Sequence, residues 1–382
     1  MDILIVGGTP SHRGGVELFC ERARHALVNI GDHHVEWVHS NTSYLRLTSI
    51  GGVAKCAWEL VRRRNQQWDC LWLQYVNLPD LVLLLASRLC GYRVLVTPHL
   101  GSNWSSQSNR LLRSLGVKLL GFAHGIALIS DTQAEEIALP SSVPQMQIRT
   151  FLPSVFPSEP QRLRARKLAL VHAGRLSDGK GTFLFLQVCT ILKQRGCEFG
   201  AQLIGSCDAA TRRRIDGVIM ENDLAASVEL LGLLPEVRLL EALSAADALI
   251  HLSNIDSFPL IVLEAIGCGA FPICKDLPGA RFITETYCGT LVAGPNIASD
   301  VADLLAGTSA AALRGEAALA RGRLAADYSW EQCVAALERS IVGLPPGRVG
   351  RDDNKAHAPA FGSGAVAEPT SAASRGAAPR TS

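Results

Sequence analysis

Short apolar runs and longer amphipathic stretches alternate along most of this chain. In the first part, runs rich in Val, Ile and Leu predict strands at 3–7, 35–39, 70–76, 93–97 and 127–130. The stretches between them predict helices at 16–28, 53–64, 81–90 and 109–120. Runs without polar alternation suit strands buried on both faces of a parallel sheet, with helices on each side. Repeated strand–helix–strand units of this kind predict an α/β, doubly wound fold.

The pattern breaks at 153–167, where Pro153, Pro157 and Pro160 precede Arg162, Arg164, Arg166 and Lys167. A proline-rich polar stretch marks a domain boundary. A second series follows, with strands at 168–173, 200–204, 228–231, 248–252, 271–274 and 290–292, and helices at 182–195, 209–221, 237–245 and 260–268. A last helix is expected at 329–342. From Pro345 the chain is mostly Gly, Ala, Pro, Ser and Arg, which predicts a disordered tail. The expected organisation is a Rossmann-like domain at 1–152, a linker at 153–167 and a second Rossmann-like domain at 168–328. A helix at 329–344 is expected to pack back on the first domain, followed by a tail at 345–382.

Composition narrows the function classes. Of 382 residues 48% are apolar and 19% charged, enough to bury sizeable cores. Lys and Arg total 37 and Asp and Glu 35, a net charge of +2 that argues against a nucleic-acid partner. The 11 cysteines are odd in number, irregularly spaced and contain no CxxC pair. That fits neither a disulfide framework nor a zinc site, and points to a reducing compartment with small buried thiols. The chain runs from Met1 straight into a strand-like run without a basic leader, and its longest apolar stretch, 81–86, is far short of the ~20 residues a membrane span needs. The expected location is cytoplasmic, with contact at a membrane surface left open.

Two open sheets in one chain place the C-terminal ends of their strands across a shared cleft, and ligands bind in the crevices there. The loops after strands are therefore the informative ones. The first strand leads into Gly7-Gly8-Thr9-Pro10-Ser11-His12-Arg13-Gly14-Gly15-Val16-Glu17. A glycine-rich loop before a helix exposes N–H groups to an anion such as phosphate, or serves as a tight turn. The spacing is not that of the dinucleotide fingerprint. His99, in Thr97-Pro98-His99-Leu100-Gly101, stands where a strand meets the cleft, as a partner for a sugar hydroxyl or as a structural group. Arg175 and Lys180, in Gly174-Arg175-Leu176-Ser177-Asp178-Gly179-Lys180-Gly181, are either solvated loop charges or a pair that neutralises a diphosphate.

The most specific stretch runs from Ser253 to Gly269. Asp256 lies in a loop after a strand, and Pro259 suits the start of a helix. Glu264 lies within that helix among Leu260, Ile261, Val262, Leu263, Ala265 and Ile266. A carboxylate there is partly exposed or needs a partner, and ribose hydroxyls are one such partner. The amides near Leu260 and Ile261 face a phosphate group. The segment 109–120, with Arg110, Arg113 and Lys118, is basic and amphipathic; it lies on an anionic membrane surface or packs as an ordinary helix.

These residues resemble a known family. Gly14-Gly15-Val16-Glu17, Gly174-Arg175-Leu176 with Lys180-Gly181, Asp256-Ser257-Phe258-Pro259-Leu260 with Glu264-Ala265, and Gly267-Cys268-Gly269-Ala270-Phe271-Pro272-Ile273 are similar to the retaining glycosyltransferases of family 4, which have the GT-B fold of two Rossmann-like doubly wound parallel-sheet domains facing a central cleft. Tyr328-Ser329-Trp330-Glu331 is similar to the start of that family's last helix, so the likeness covers about 1–343. Asp256 and Glu264 keep the spacing of the family's two acidic residues, with Asp where Glu is commoner. The resemblance implies an acceptor-binding first domain and a nucleotide-sugar-binding second one. It implies Glu264 at the ribose, Arg175 and Lys180 at the departing diphosphate, and Asp256 with the Phe258, Pro259, Leu260 and Ile261 backbone at the donor sugar. It also puts His99 beside sugar and acceptor, and Gly15 near the diphosphate. The expected partners are a nucleoside diphosphate sugar as co-substrate and a glycan or lipid-linked acceptor in bacterial surface polysaccharide assembly, with no cofactor and no metal. A sugar-nucleotide epimerase on the same fold, or a non-catalytic glycan-binding or partner subunit, are the alternatives.

Overall fold

The apolar runs form strands that pair with their neighbours in parallel throughout. The computed structural model describes residues 1–9, 14–42, 50–101, 104–157 and 167–346. The first sheet contains β1 (Asp2–Val6), β2 (His34–Val38), β3 (Cys70–Tyr75), β4 (Val94–Pro98), β5 (Gly125–Leu128) and β6 (Gln145–Gln147), in the order β2-β1-β3-β4-β5-β6. Its connections hold α1 (Gly15–Asn29), α2 (Ile50–Arg63), α3 (Leu78–Leu89), α4 (Ser105–Ser108), α5 (Arg110–Leu120) and α6 (Gln133–Glu136). The second sheet contains β7 (Leu168–Ala173), β8 (Phe199–Ile204), β9 (Val228–Gly232), β10 (Ala248–His251), β11 (Phe271–Lys275) and β12 (Thr290–Val292), in the order β12-β11-β10-β7-β8-β9. With it come α7 (Thr182–Gln194), α8 (Ala209–Glu221), α9 (Glu236–Ala245), α10 (Leu260–Cys268), α11 (Pro278–Thr286), α12 (Ile297–Gly307), α13 (Ala310–Asp327) and α14 (Trp330–Val342).

The strand order reverses between β1 and β3 in one sheet and between β7 and β10 in the other. Crossover helices diverge at such points and leave a crevice at the C-terminal strand ends. All residues of β3 and β4 are buried, which explains their unbroken apolar runs. Six elements differ from the reading of the sequence. β6 was not expected, because Gln145-Met146-Gln147 is a short, largely polar edge strand with no apolar run. The one-turn helices α4 and α6 and helices α11, α12 and α13 also went unread. In α13, alanines and charges are spread round the helix and leave no clear apolar stripe.

One apolar cluster runs from Ile3, Ile5, Phe19 and Phe151 in the first half through Val262, Leu263 and Ile266 to Leu324, Tyr328 and Val334. Separate clusters lie within each half. Helix α14 packs on α1 and β6. It is held there by Trp330 Nε1 donating to Leu152 O at 2.8 Å and by His33 Nε2 lying 2.7 Å from Glu338 Oε1. Within the linker, 158–166 lies outside the described residues, and so does the tail from 347 on. All eleven cysteines are free. Among the described residues no helix is long and apolar enough to cross a membrane, and no three side chains form a metal-binding group.

Candidate active site at the facing sheet edges

The loops after β7 and β10 are tied together. Asn254 N donates to Gly179 O at 2.8 Å, and Ser177 N donates to Thr182 Oγ1 at 3.0 Å. Gly181 has φ +80°, and a Cβ there would lie 2.3 Å from Leu252 O, so only glycine fits. This close approach places the Lys180 ammonium on Asp256 Oδ1. The other oxygen, Oδ2, lies 2.8 Å from His251 Nε2, without the alignment of a hydrogen bond. Burial pushes the Asp256 carboxyl up, but His251 and Lys180 outweigh it and hold the group well below the usual carboxylate range. Arg175 is exposed on the same loop as Lys180.

Pro259 is the extended N-cap of α10, and Leu260 and Ile261 form its first turn. Their amides belong to the helix end that favours anions. Phe258 is buried and its ring lies 6.3 Å from that of Phe282. Glu264 is 3% exposed, and its partner is a protein cation: Arg22 Nη2 of α1 lies 2.7 Å from Glu264 Oε1. This ion pair offsets part of the cost of burying the carboxylate and leaves its Oε1 without a hydrogen-bond partner. The chain supplies that part itself, from the other half.

On the opposite edge, Glu17 fixes the glycine loop by accepting from Gly14 N at 3.1 Å and from Thr9 N at 3.0 Å. The residues 10–13 between them are outside the described set. Gly15 opens α1, and a Cβ on it would lie 4.0 Å from Leu260 Cδ1, so it faces the start of α10. His99 Nε2 donates to Gln74 Oε1 at 2.9 Å, and the Phe19 ring packs edge-on at 4.9 Å. Burial pushes the imidazole down to about 4, so at neutral pH it works by hydrogen bonding, not by charge. Two residues on, a Cβ at Gly101 would lie 2.7 Å from Ser257 Cβ and 3.3 Å from Glu136 Oε2. The glycine thus lets the loop after β4 meet the loop that carries Asp256.

The structure brings Lys180, Asp256 and the 258–261 turn together on the second sheet, with Arg175 exposed on the Lys180 loop and with Gly15 and the His99 loop facing them. Glu264 lies one turn further along α10. The reading of the sequence missed Arg22, His251, Gln74 and Glu136. Two of them carried a signal. Arg22 falls in the buried stripe of Phe19, Cys20, Ala23, Ala26 and Leu27, and His251 ends an otherwise apolar strand. A cavity of about 550 Å³ lies elsewhere, among Ala169, Gly200, Ala226, Glu229 and Ala246, away from these groups.

Residues 158–318 match the family model described as Glycosyl transferases group 1, so the chain carries a domain of that kind. The D-inositol 3-phosphate glycosyltransferase of Paenarthrobacter aurescens (strain TC1) is 28% identical over 184 residues, 47% of this chain and 45% of that protein. The chain spans about half the length of the curated relatives it matches. Among solved structures, HepE of Anabaena in complex with UDP and glucose superposes with a TM-score of 0.71 at 17% identity, over 90% of this chain and 100% of that one. Sucrose-phosphate synthase of Thermosynechococcus elongatus gives 0.70 at 19% identity, over 90% and 98%. At such identities the likeness is one of fold, and the fold is GT-B.

Proposed function

We propose that this chain is a glycosyltransferase of the retaining family 4 type, moving a sugar from a nucleoside diphosphate sugar to a hydroxyl of a glycan or lipid-linked acceptor. The observation that carries this reading is the meeting of Lys180, Asp256 and the first turn of α10 at the reversal point of the second sheet, with Gly15 opposite. The glycosyl transferases group 1 match over 158–318 supports it, as do structural neighbours solved with UDP.

In this reading Arg175, Lys180 and the amide-rich start of α10 hold the diphosphate. Negative charge grows there as the anomeric bond breaks, and fixed donors stabilise it more in the transition state than in the ground state. The acceptor hydroxyl attacks from the leaving-group face and passes its proton to the departing phosphate, so configuration is retained. Asp256 orients donor-sugar hydroxyls, and its two protein partners fix its rotamer. His99, neutral and anchored by Gln74, offers a hydrogen bond near the sugar. Glu264 takes the ribose. Lys180 starts out neutralised by Asp256, so the incoming diphosphate competes for an ammonium that is already engaged.

The acceptor reading includes a place at the inner face of the cytoplasmic membrane, in surface polysaccharide assembly. Helix α5 supports membrane contact: Leu111 is 81% and Leu115 47% exposed, among exposed Arg110, Arg113 and Lys118. The test is a donor screen that reads released nucleoside diphosphate, with and without lipid-linked acceptors in anionic vesicles. Acceptor-dependent release is expected. An isomerised free sugar, or no turnover of any donor, overturns the assignment.

A further inference from the structure

Arg22 is a cation buried where apolar side chains belong. It is 4% exposed on α1, in a stripe with Phe19, Ala23 and Ala26. Its Nη2 lies 2.7 Å from Glu264 Oε1 and 3.2 Å from Glu236 Oε1, and its Nη1 donates to Phe151 O at 3.4 Å. These partners sit on α10, on α9 and on the segment after β6. One guanidinium therefore joins the first half of the chain to the helix carrying Glu264. The fit is incomplete. Arg22 Nε and Glu264 Oε1 are both buried without a hydrogen-bond partner, although the charges touch. An orphaned polar atom costs free energy until a partner reaches it, and a hydroxyl can both donate and accept.

We infer that Arg22 is a positioning residue of the donor site: from the opposite half of the chain it sets the Glu264 carboxylate to receive the ribose hydroxyls. The inference rests on the reading of Glu264 given above. Ion pairing compensates the buried charge, and the Nη2–Oε1 contact holds the carboxylate toward α1. Because the pair spans the two halves, the ribose contact is complete only when α1 lies against α10. A simple structural strap would tie the halves together without altering nucleotide affinity.

The full chain is titrated calorimetrically with UDP, GDP, ADP, CDP and dTDP, and the best binder is carried through Arg22→Met, Arg22→Lys, Glu264→Gln and the double variant Arg22→Met/Glu264→Gln. Arg22→Met should weaken binding about tenfold or more, the size of one charge-assisted contact. Arg22→Lys should recover part of that, and the double variant should be no weaker than the worse single one. With turnover as readout, KM should rise more than kcat falls. If Glu264→Gln weakens binding but Arg22→Met does not, the ribose reading stands and the role of Arg22 is overturned. Additive losses overturn it too. If Glu264→Gln binds like wild type, or the wild type binds none of the five, both readings fall. Should Arg22→Met not fold, Arg22→Lys decides: a loss of about threefold supports the inference, and unchanged affinity overturns it.

Discussion

Two carboxyls at the facing sheet edges, both half-buried, titrate in opposite directions. Burial pushes Glu136, in α6 after β5, up to about 7, and the Thr132 hydroxyl at 3.3 Å only partly opposes it. Asp256, after β10, feels the same push from burial, yet His251 and Lys180 hold it well below the ordinary range. Asp80, deep in the first half, follows Glu136: burial takes it to about 6 even though it accepts from Val76 N at 2.7 Å and Asn77 N at 2.9 Å. Neutral donors soften the cost of burying a carboxylate, whereas a cation reverses it. The second edge therefore stays ionised with its charges paired, which suits a diphosphate. The first edge presents a neutral His99 and a carboxyl that titrates near neutrality, which suits hydroxyls.

Lys180→Ala attacks this contrast most directly. It removes the cation that the proposed reaction places at the departing diphosphate and leaves Asp256 with His251 as its remaining side-chain neighbour. Turnover measured by nucleoside diphosphate release should fall by about a hundredfold or more, the scale of losing one preorganised electrostatic group. A loss below about tenfold would mean that the second edge is not where charge develops.

A smaller effect compares two glycines, Gly181 packed against its own half and Gly15 facing the other. Gly181→Ala must accommodate a Cβ 2.3 Å from Leu252 O at φ +80°. The variant should lose about 3 kcal/mol in urea denaturation, from backbone strain plus displacement of the loop. At Gly15 the nearest atom to a Cβ is Leu260 Cδ1 at 4.0 Å, so Gly15→Ala should keep its stability to within about 0.5 kcal/mol. Equal losses at both sites would show that the two loops are packed alike.

The fold was legible because its signal is repeated: each buried strand announces itself as an apolar run, and each reversal of strand order directs attention to the loops that follow. Asp256 and the turn at Pro259 were legible because a charge and a proline interrupt an apolar context within a few residues. Arg22 was not, although its helix was, because its partners Glu236 and Glu264 lie more than two hundred residues away. A one-dimensional pattern shows that a buried cation needs a partner without showing which. Gln74 and Glu136 were hidden for a related reason: a polar residue at a strand end or in a one-turn helix looks like any loop residue until the opposite edge is placed beside it. The ribose role given to Glu264 came from resemblance, and the ion pair adds a contact that resemblance did not carry.

The smallest expected effect comes from Glu136 and sharpens the contrast through pH. Its folded-state carboxyl titrates near 7, above the ordinary value of 4.5. Between those values the folded protein binds the proton and the unfolded chain does not, so stability falls as pH rises through the window. Whatever the protonated group contributes is fully present below about 4.5 and lost above 7. Glu136→Gln keeps a neutral side chain at every pH and escapes that loss. Its stability should match wild type near pH 4 and exceed it by about 1–2 kcal/mol near pH 8, an allowance already reduced for the group's partial exposure. Denaturation midpoints at the two pH values measure the difference. Asp256→Asn should behave in the opposite way: the stability of the paired carboxylate is present at neutral pH, so the variant is the weaker protein there, and the gap closes as pH falls below the ordinary carboxylate range. If both variants shifted with pH in the same direction, the cation beside Asp256 would not be what separates the two edges.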